Sequence, residues 1–162
     1  MRIWHADLIH YLPKSQLVAQ WRELNSIYKK QDNHILINYV YKYNKLCLLD
    51  YTRKTIKELE NRKIVVKAYN KLKKYFSFVF DEISDEEKVT SDLIWNMLDY
   101  ENYDFNLTFK EHNDRYLIQC FYNLQEKYDR GQKDFSEEQY ETLKKLMVEK
   151  GLEKYIYTKG DE

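Results

Sequence analysis

The stretch QLVAQWRELNSIYKK (16–30) decides the fold, because its apolar residues recur at the spacing of an α-helix. One apolar stripe runs along it, formed by Leu17, Val18, Trp21, Leu24 and Tyr28. The opposite face is small or polar and carries Gln16, Ala19, Glu23, Ser26 and Lys30, with Arg22 beside them. Proline suits the first turn of a helix, and Pro13 lies just before the pattern. The stretch therefore predicts a helix that follows Pro13 and packs by one face.

The same spacing predicts further helices on the C-terminal side of this one. A second long helix is predicted over 45–63, with its inward residues at Leu46, Leu49, Ile56 and Leu59. A basic and then aromatic stretch predicts a helix over 66–80. Between the first two helices, HILINYVYKY (34–43) is rich in β-branched and aromatic residues, which indicates a short extended or buried segment. The acidic stretch DEISDEEK (81–88) is either a loop or the capped start of a helix through Trp95 and Leu98.

The second half of the chain predicts two more helices. One begins near Asp114 and turns inward Leu117, Cys120, Phe121, Leu124 and Tyr128. For the other, Ser136 and Gln139 form a capping box, Phe135 and Tyr140 a hydrophobic staple, and Gly151 the C-terminal cap. Residues 99–110 read as irregular. The expected fold class is all-α, in a single predominantly helical domain over 1–162.

Composition excludes several functional classes. Glycine is absent from the first 130 residues, which excludes the phosphate loops of P-loop and Rossmann enzymes. The two cysteines, Cys47 and Cys120, lie far apart, which indicates reduced thiols in a cytoplasmic protein. The four histidines form no ligand-spaced set with them, so no zinc site is expected. No apolar run approaches 18 residues, and polar residues interrupt the N-terminus, so neither a membrane helix nor a signal peptide is expected.

The net charge of zero hides a strong asymmetry between the halves. Residues 1–80 contain 16 Lys/Arg and 6 Asp/Glu, a net charge of +10, whereas residues 81–162 contain 11 and 21, a net charge of −10. Such asymmetry indicates a polyanion-binding face on the first half. The alternative is that the two halves neutralise each other within the fold.

The N-terminal block MRIWHADLIHYLP (1–13) offers a nucleophile in the Met1 amine. Methionine removal requires a small second residue, so Arg2 favours retention of Met1. An α-amine has a pKa of about 7.7–8.0 against about 10.4 for lysine, so far more of it is unprotonated near neutral pH. Arg22 and Glu23 could act with this amine. The alternative is that they are solvated charges on a helix surface.

These blocks resemble the pyrimidine-dimer DNA glycosylase family of endonuclease V type, and most closely its bacterial branch. The matching segments are MRIWHADLIHYLP, QLVAQWREL (16–24), His34, NYVY (38–41) and FKEHNDRYL (109–117). The resemblance implies a family-like helical core over 1–130. Residues 132–162 are then a C-terminal extension that adds a helix, and 81–105 is a further unmatched segment.

The resemblance also implies a mechanism and a set of site residues. The Met1 amine attacks C1′ of the damaged nucleotide, a Schiff base forms, and the strand is cut by β-elimination. Glu23 is the essential glutamate of the first long helix. The expected DNA-binding residues are Arg2, Arg22, Lys30 and His34. No metal or organic cofactor is implied, and the partner is damaged double-stranded DNA, bound by a monomer.

Two other functions fit the sequence. One is a non-catalytic nucleic-acid-binding protein on the same fold, with the basic first half as its surface. The other is a helical protein–protein interaction module whose acidic second half pairs with a partner. The sequence leaves open which lesion is recognised and whether RNA is the substrate.

Overall fold

The computed structural model describes residues 2–98 and 107–157, and every regular element in these ranges is helical. The predicted all-α class is therefore confirmed. The α-helices of the described ranges are α1 (Lys14–Lys29), α2 (Lys45–Asn61), α3 (Asn70–Tyr75), α4 (Ser77–Phe80), α5 (Ser91–Met97), α6 (Asp114–Asp129) and α7 (Glu137–Glu149). Short 3-10 helices form at Ala6–Tyr11, Asn38–Lys42 and Glu153–Tyr155.

Helix α1 begins directly after Pro13, as its spacing predicts. Leu17, Leu24 and Ile27 are all 0% exposed. Full burial of each such side chain contributes about 1.5–3 kcal/mol to folding. Two polar residues, Gln20 and Asn25, are buried on the same helix. The packed face of α1 is thus wider than the apolar stripe alone.

Helix α2 also matches its prediction. Its inward residues Leu46, Leu49, Ile56 and Leu59 are all buried. The side chain of Asn44 caps its start by accepting a hydrogen bond from the backbone N–H of Leu46 at 2.9 Å. Helix α5 packs against α2. Its residue Ser91 donates from both backbone N–H and hydroxyl to the Glu60 carboxylate at 2.8 Å.

The segment 34–43 is a turn followed by a 3-10 helix, so of the two predicted alternatives, extended or buried, the extended one is wrong. The His34 carbonyl accepts hydrogen bonds from the N–H groups of Ile37 and Asn38, at 3.0 and 2.9 Å, which closes the turn. Ile37 and Val40 are buried three residues apart, at the repeat of a 3-10 helix. Burial of this pair outweighs the β propensity of the segment.

The predicted helix over 66–80 begins later and is divided in two. Ala68 has a φ of +70°, outside the right-handed helical region, so the helix starts only at Asn70. Phe76 separates α3 from α4, and α4 ends at Phe80 as predicted.

The acidic stretch 81–88 is a loop, because α5 starts only at Ser91 and is capped there by the Thr90 side chain. Buried Lys73 holds this loop. Its ammonium donates to the backbone carbonyls of Ser84 at 2.7 Å, of Asp85 at 3.2 Å and of Glu87. Most of the predicted irregular segment, 99–106, lies outside the described residues, and 107–110 form no helix.

The last two α-helices follow their local signals. In α6, Leu117, Cys120, Phe121 and Leu124 are buried, and Tyr128 is half-buried. In α7 both hydrogen bonds of the Ser136–Gln139 capping box are present. The staple rings of Phe135 and Tyr140 lie 6.1 Å apart. Gly151 follows the helix with a φ of +71°, the left-handed cap that the sequence predicts.

The described chain divides into two compact units. The first comprises residues 2–3, 17–98 and 107–111, and the second comprises 4–16 and 112–157. Within the second unit the C-terminal extension packs against the 4–16 segment: Ser15 N–H donates to Asp134 at 2.6 Å, and Lys150 pairs with Asp7 at 2.9 Å. The expectations of one domain, with a core over 1–130, remain predictions. No helix in the described ranges has the length and apolar character needed to cross a membrane.

Candidate nucleic-acid site

Glu23 lies on α1 with one oxygen in an unusual environment. Its side chain is half-buried, and its Oε2 atom is inaccessible to solvent yet accepts no hydrogen bond from the described part of the chain. A buried carboxylate oxygen without a donor costs free energy, because it loses hydration without compensation. The position is therefore one where a donor from a substrate or a reacting group would be favoured.

Gln20 holds Arg2 against α1. It is 1% exposed. Its Nε2 group donates to the backbone carbonyl of Arg2 at 3.3 Å, and its Oε1 atom accepts from the Tyr51 hydroxyl at 3.0 Å. Residues three apart on a helix are surface neighbours, so Gln20 and Glu23 share one side of α1. Arg2 is thus fixed beside the helical turn that carries Glu23.

A pocket of about 440 Å³ opens within the first unit between α1 and the segment that leads into α3. The described residues that line it are Trp21, Arg22, Asn25, Ser26, Val66, Lys67, Ala68 and Lys71. Three of these are cations and none is acidic. A concave surface with only positive charge favours an anionic ligand, and a phosphate backbone is one.

Asn25 lines this pocket and also carries a buried hydrogen-bond acceptor. Its Nδ2 group donates to the Trp21 carbonyl at 2.8 Å, while its buried Oδ1 atom has no donor among the described residues. The Trp21 ring packs against Tyr69 with 5.5 Å between centroids, so the wall beside Asn25 is fixed. This amide oxygen is inaccessible to solvent, so the pocket offers a ligand the charge of its cations and not this acceptor.

The structure places the predicted site residues in different surroundings. Arg22 is exposed and lines the pocket, whereas Glu23, Arg2, Lys30 and His34 are not among its described lining residues. Lys30 is exposed just beyond α1, and His34 is exposed in the turn that follows. Met1 lies outside the described residues, so its predicted approach to Glu23 remains a prediction.

Comparison with known families bears on the same part of the chain. Residues 1–74 match the family model described as pyrimidine dimer DNA glycosylase.

The resemblance inferred from the sequence motifs is thereby confirmed over these residues.

The matched range contains α1, α2, every described residue of the pocket and all six predicted site residues. A search of curated proteins and a search of solved structures each found no match. The family is one of DNA repair glycosylases. The match therefore supports the general prediction that this protein is a DNA repair enzyme. The bacterial branch, the lyase step and the individual residue roles remain predictions.

Four residues of this region were missed by the sequence reasoning: Gln20, Asn25, Lys67 and Lys71. Gln20 and Asn25 carried a usable signal, since both lie within the helical arc that also contains Trp21 and Leu24. A polar residue at such a position is buried and requires a partner. The two lysines carried no such signal, because the turn at Ala68 that places them in the pocket does not follow from spacing.

The motif residue His5 has a structural role in the second unit. Its Nδ1 atom accepts from the backbone N–H of Asp7 at 3.1 Å and caps the first 3-10 helix. The ring stacks on buried His112 with 5.3 Å between centroids, and His112 Nδ1 accepts from Ala6 N–H at 3.0 Å. Burial lowers the pKa of His5 below its ordinary value, and the Asp7 carboxylate partly opposes this. His5 is therefore neutral near pH 7, with Nδ1 as an acceptor.

Proposed function

We propose that this protein is a DNA glycosylase with lyase activity at abasic sites, acting on damaged duplex DNA through a Schiff base on the Met1 amine. The observation that carries the proposal is the Gln20–Arg2 hydrogen bond, made three positions along α1 from Glu23, whose buried Oε2 atom has no donor among the described residues. Both lie within the range that matches the family model.

The chemistry follows from an amine and a carboxylate acting on one sugar. The unprotonated Met1 amine forms a bond to C1′, and the glycosidic bond breaks as the base leaves with its electron pair. Opening of the sugar ring gives an imine between the amine and C1′. Removal of a proton from C2′ then expels the 3′ phosphate by β-elimination. Water releases the enzyme. Glu23 is proposed to accept and return the protons of these steps.

The pocket supports the DNA-binding half of the proposal. Arg22, Lys67 and Lys71 line the pocket, and we expect them to contact phosphates, which fix the position of a duplex without reading its sequence. We expect a nucleotide to be displaced from the stack so that its sugar can be attacked. Displacement costs least where the duplex is already damaged, so the pocket favours lesions.

The second candidate is a non-catalytic nucleic-acid-binding protein. The cationic pocket supports it equally, because phosphate contacts require neither the amine nor Glu23. The two candidates therefore differ in covalent chemistry and agree in binding.

Borohydride trapping on a duplex with one abasic site tests the proposal. The protein is prepared with its Met1 N-terminus verified by mass spectrometry, and a matched sample has the α-amine acetylated. We expect the first to give a covalent protein–DNA complex and strand cleavage, and the acetylated protein to give neither while it still binds the duplex.

Each other outcome has a definite meaning. Equal trapping by the acetylated protein would assign the imine to a lysine and contradict the α-amine mechanism. Duplex binding by the native protein without trapping would favour the non-catalytic candidate. Absence of binding at low salt would contradict both and favour a protein–protein interaction module.

A further inference from the structure

Ile35 is the most exposed of the large apolar side chains in the described part of the chain. It is 82% exposed and lies in the turn between α1 and the 3-10 helix Asn38–Lys42, with Leu36 beside it at 39%. Single exposed apolar side chains are common on protein surfaces, so the exposure of Ile35 gains meaning only from the rigidity and the charge of its surroundings.

The turn that carries Ile35 is braced. The Asp32 carboxylate accepts from His34 N–H at 2.8 Å, and His34 Nδ1 accepts from Leu36 N–H at 3.2 Å. On its C-terminal side Ile37 is 0% exposed and anchors the turn in the core. On its N-terminal side the Tyr41 hydroxyl accepts from Asp32 N–H at 3.0 Å. Ile35 is therefore held outward by a fixed backbone.

The approach to Ile35 is positively charged. Along α1 the exposed residues Arg22, Ser26 and Lys29 lie three and four apart, on one side of the helix, and exposed Lys30 follows directly. The one carboxylate of the turn, Asp32, is already engaged by His34 N–H. The partner that covers Ile35 should therefore be anionic at its edges and apolar within.

We propose that Ile35 is a wedge that enters the base stack of the duplex held by the basic face of α1. Duplex DNA meets both requirements, because phosphates flank a stack of apolar base faces. Apolar side chains inserted between base steps unstack and kink DNA. This proposal rests on the proposed function for its ligand and extends it, since it assigns the opening of the stack to a residue that takes no part in the covalent chemistry.

The test measures unstacking without catalysis. The duplex carries a tetrahydrofuran abasic analogue, which cannot form an imine, with 2-aminopurine in the neighbouring position. Fluorescence of 2-aminopurine rises when the base leaves the stack. We expect the unaltered protein to raise it, and Ile35→Ala to reduce the rise about tenfold while changing duplex affinity and its salt dependence far less.

Two variants make the test specific. Ile35→Met keeps an apolar side chain of similar size and should retain the rise. Phe78→Ala removes another exposed apolar residue, 56% exposed on α4, and should behave as the unaltered protein does. The wedge is overturned if Ile35→Ala unstacks the duplex normally, if Phe78→Ala fails equally, or if the duplex is not bound. Unstacking that depends on Ile35 in a protein that never traps abasic DNA would contradict the enzymatic proposal and leave the wedge standing.

Discussion

Gln20 joins Arg2 to the helical turn that carries Glu23, through a 3.3 Å hydrogen bond from its Nε2 group to the Arg2 carbonyl. The residues are 18 positions apart in the chain, so the bond fixes Arg2 against α1. A nucleophile adjacent to Arg2 in the chain would be restrained by the same hydrogen bond. Correct placement of reacting groups lowers a barrier by removing the entropy of their approach.

We therefore predict that Gln20→Met slows borohydride trapping on abasic duplex by about 10- to 100-fold, the scale of a small misplacement of reacting groups. Duplex affinity should change little. Tyr51→Phe is the matched control, because it removes the 3.0 Å bond from Tyr51 to Gln20 and leaves the Gln20–Arg2 bond in place. Equal slowing by both variants would show that packing of Gln20, and not its hold on Arg2, matters.

Glu23→Gln keeps the shape of the side chain and removes its charge and basicity. We expect strand cleavage at an abasic site to fall by about 100- to 10,000-fold, the usual contribution of a general acid–base group. Duplex affinity should be retained. Gel analysis of cleaved strand, with filter binding on the same preparation, separates the two effects. Full cleavage by this variant would show that Glu23 is an ordinary helix-surface residue without a role in catalysis.

Arg22→Ala should weaken duplex binding and flatten its dependence on salt. Each phosphate contact that is lost reduces the slope of log affinity against log salt by about one unit. Binding titrations at several salt concentrations give this slope. Lys74→Ala removes an exposed cation of α3 that is not among the described pocket residues, and it should change the slope less. Equal slopes for Arg22→Ala and the unaltered protein would place Arg22 away from the DNA backbone.

His5 should make the fold sensitive to acid. Burial lowers its folded-state pKa below the ordinary value of 6.5. Below about pH 6.5 the unfolded chain therefore binds more protons than the folded chain. The stabilisation that neutral His5 contributes is fully present above that pH. It is lost progressively as the pH falls through the folded-state pKa.

The His5→Asn variant tests this dependence. Asparagine is a good N-terminal cap and can still accept from Asp7 N–H, but it does not titrate. Urea unfolding at several values between about pH 5 and 7.5 should show a shallower loss of unfolding free energy for the variant. His10→Asn, on the exposed side of the same 3-10 helix, should keep the original dependence. An unchanged profile for His5→Asn would assign the acid sensitivity to another group.

Sequence predicted the parts of this molecule that depend on neighbouring residues. The Ser136–Gln139 capping box and the Gly151 cap lie within a few residues of their partners, so local chemistry determines them. The helix that carries Arg22 and Glu23 has the same local origin, and the resemblance to a known family singled out this pair.

The other features of the fold and of the candidate site depend on contacts that the spacing of apolar residues in the sequence does not reveal. Segment 34–43 has strand-like composition, yet burial of Ile37 and Val40 makes it a turn and a 3-10 helix. Gln20 became part of the candidate site only through Arg2 and Tyr51, which lie 18 and 31 positions away. The pocket lysines depend on the left-handed turn at Ala68, a residue that gives no sign of that conformation.

The loop that the buried Lys73 ammonium holds also presents negative charge to the solvent. Because Lys73 takes up the carbonyls of the 84–87 loop, the backbone of that loop is turned inward, and the side chains of Asp85, Glu86 and Glu87 are exposed. These three exposed carboxylates repel any phosphate that comes within a Debye length, about 8 Å, of them. The 84–87 loop therefore disfavours those orientations of a bound duplex that would bring its phosphates close to these carboxylates.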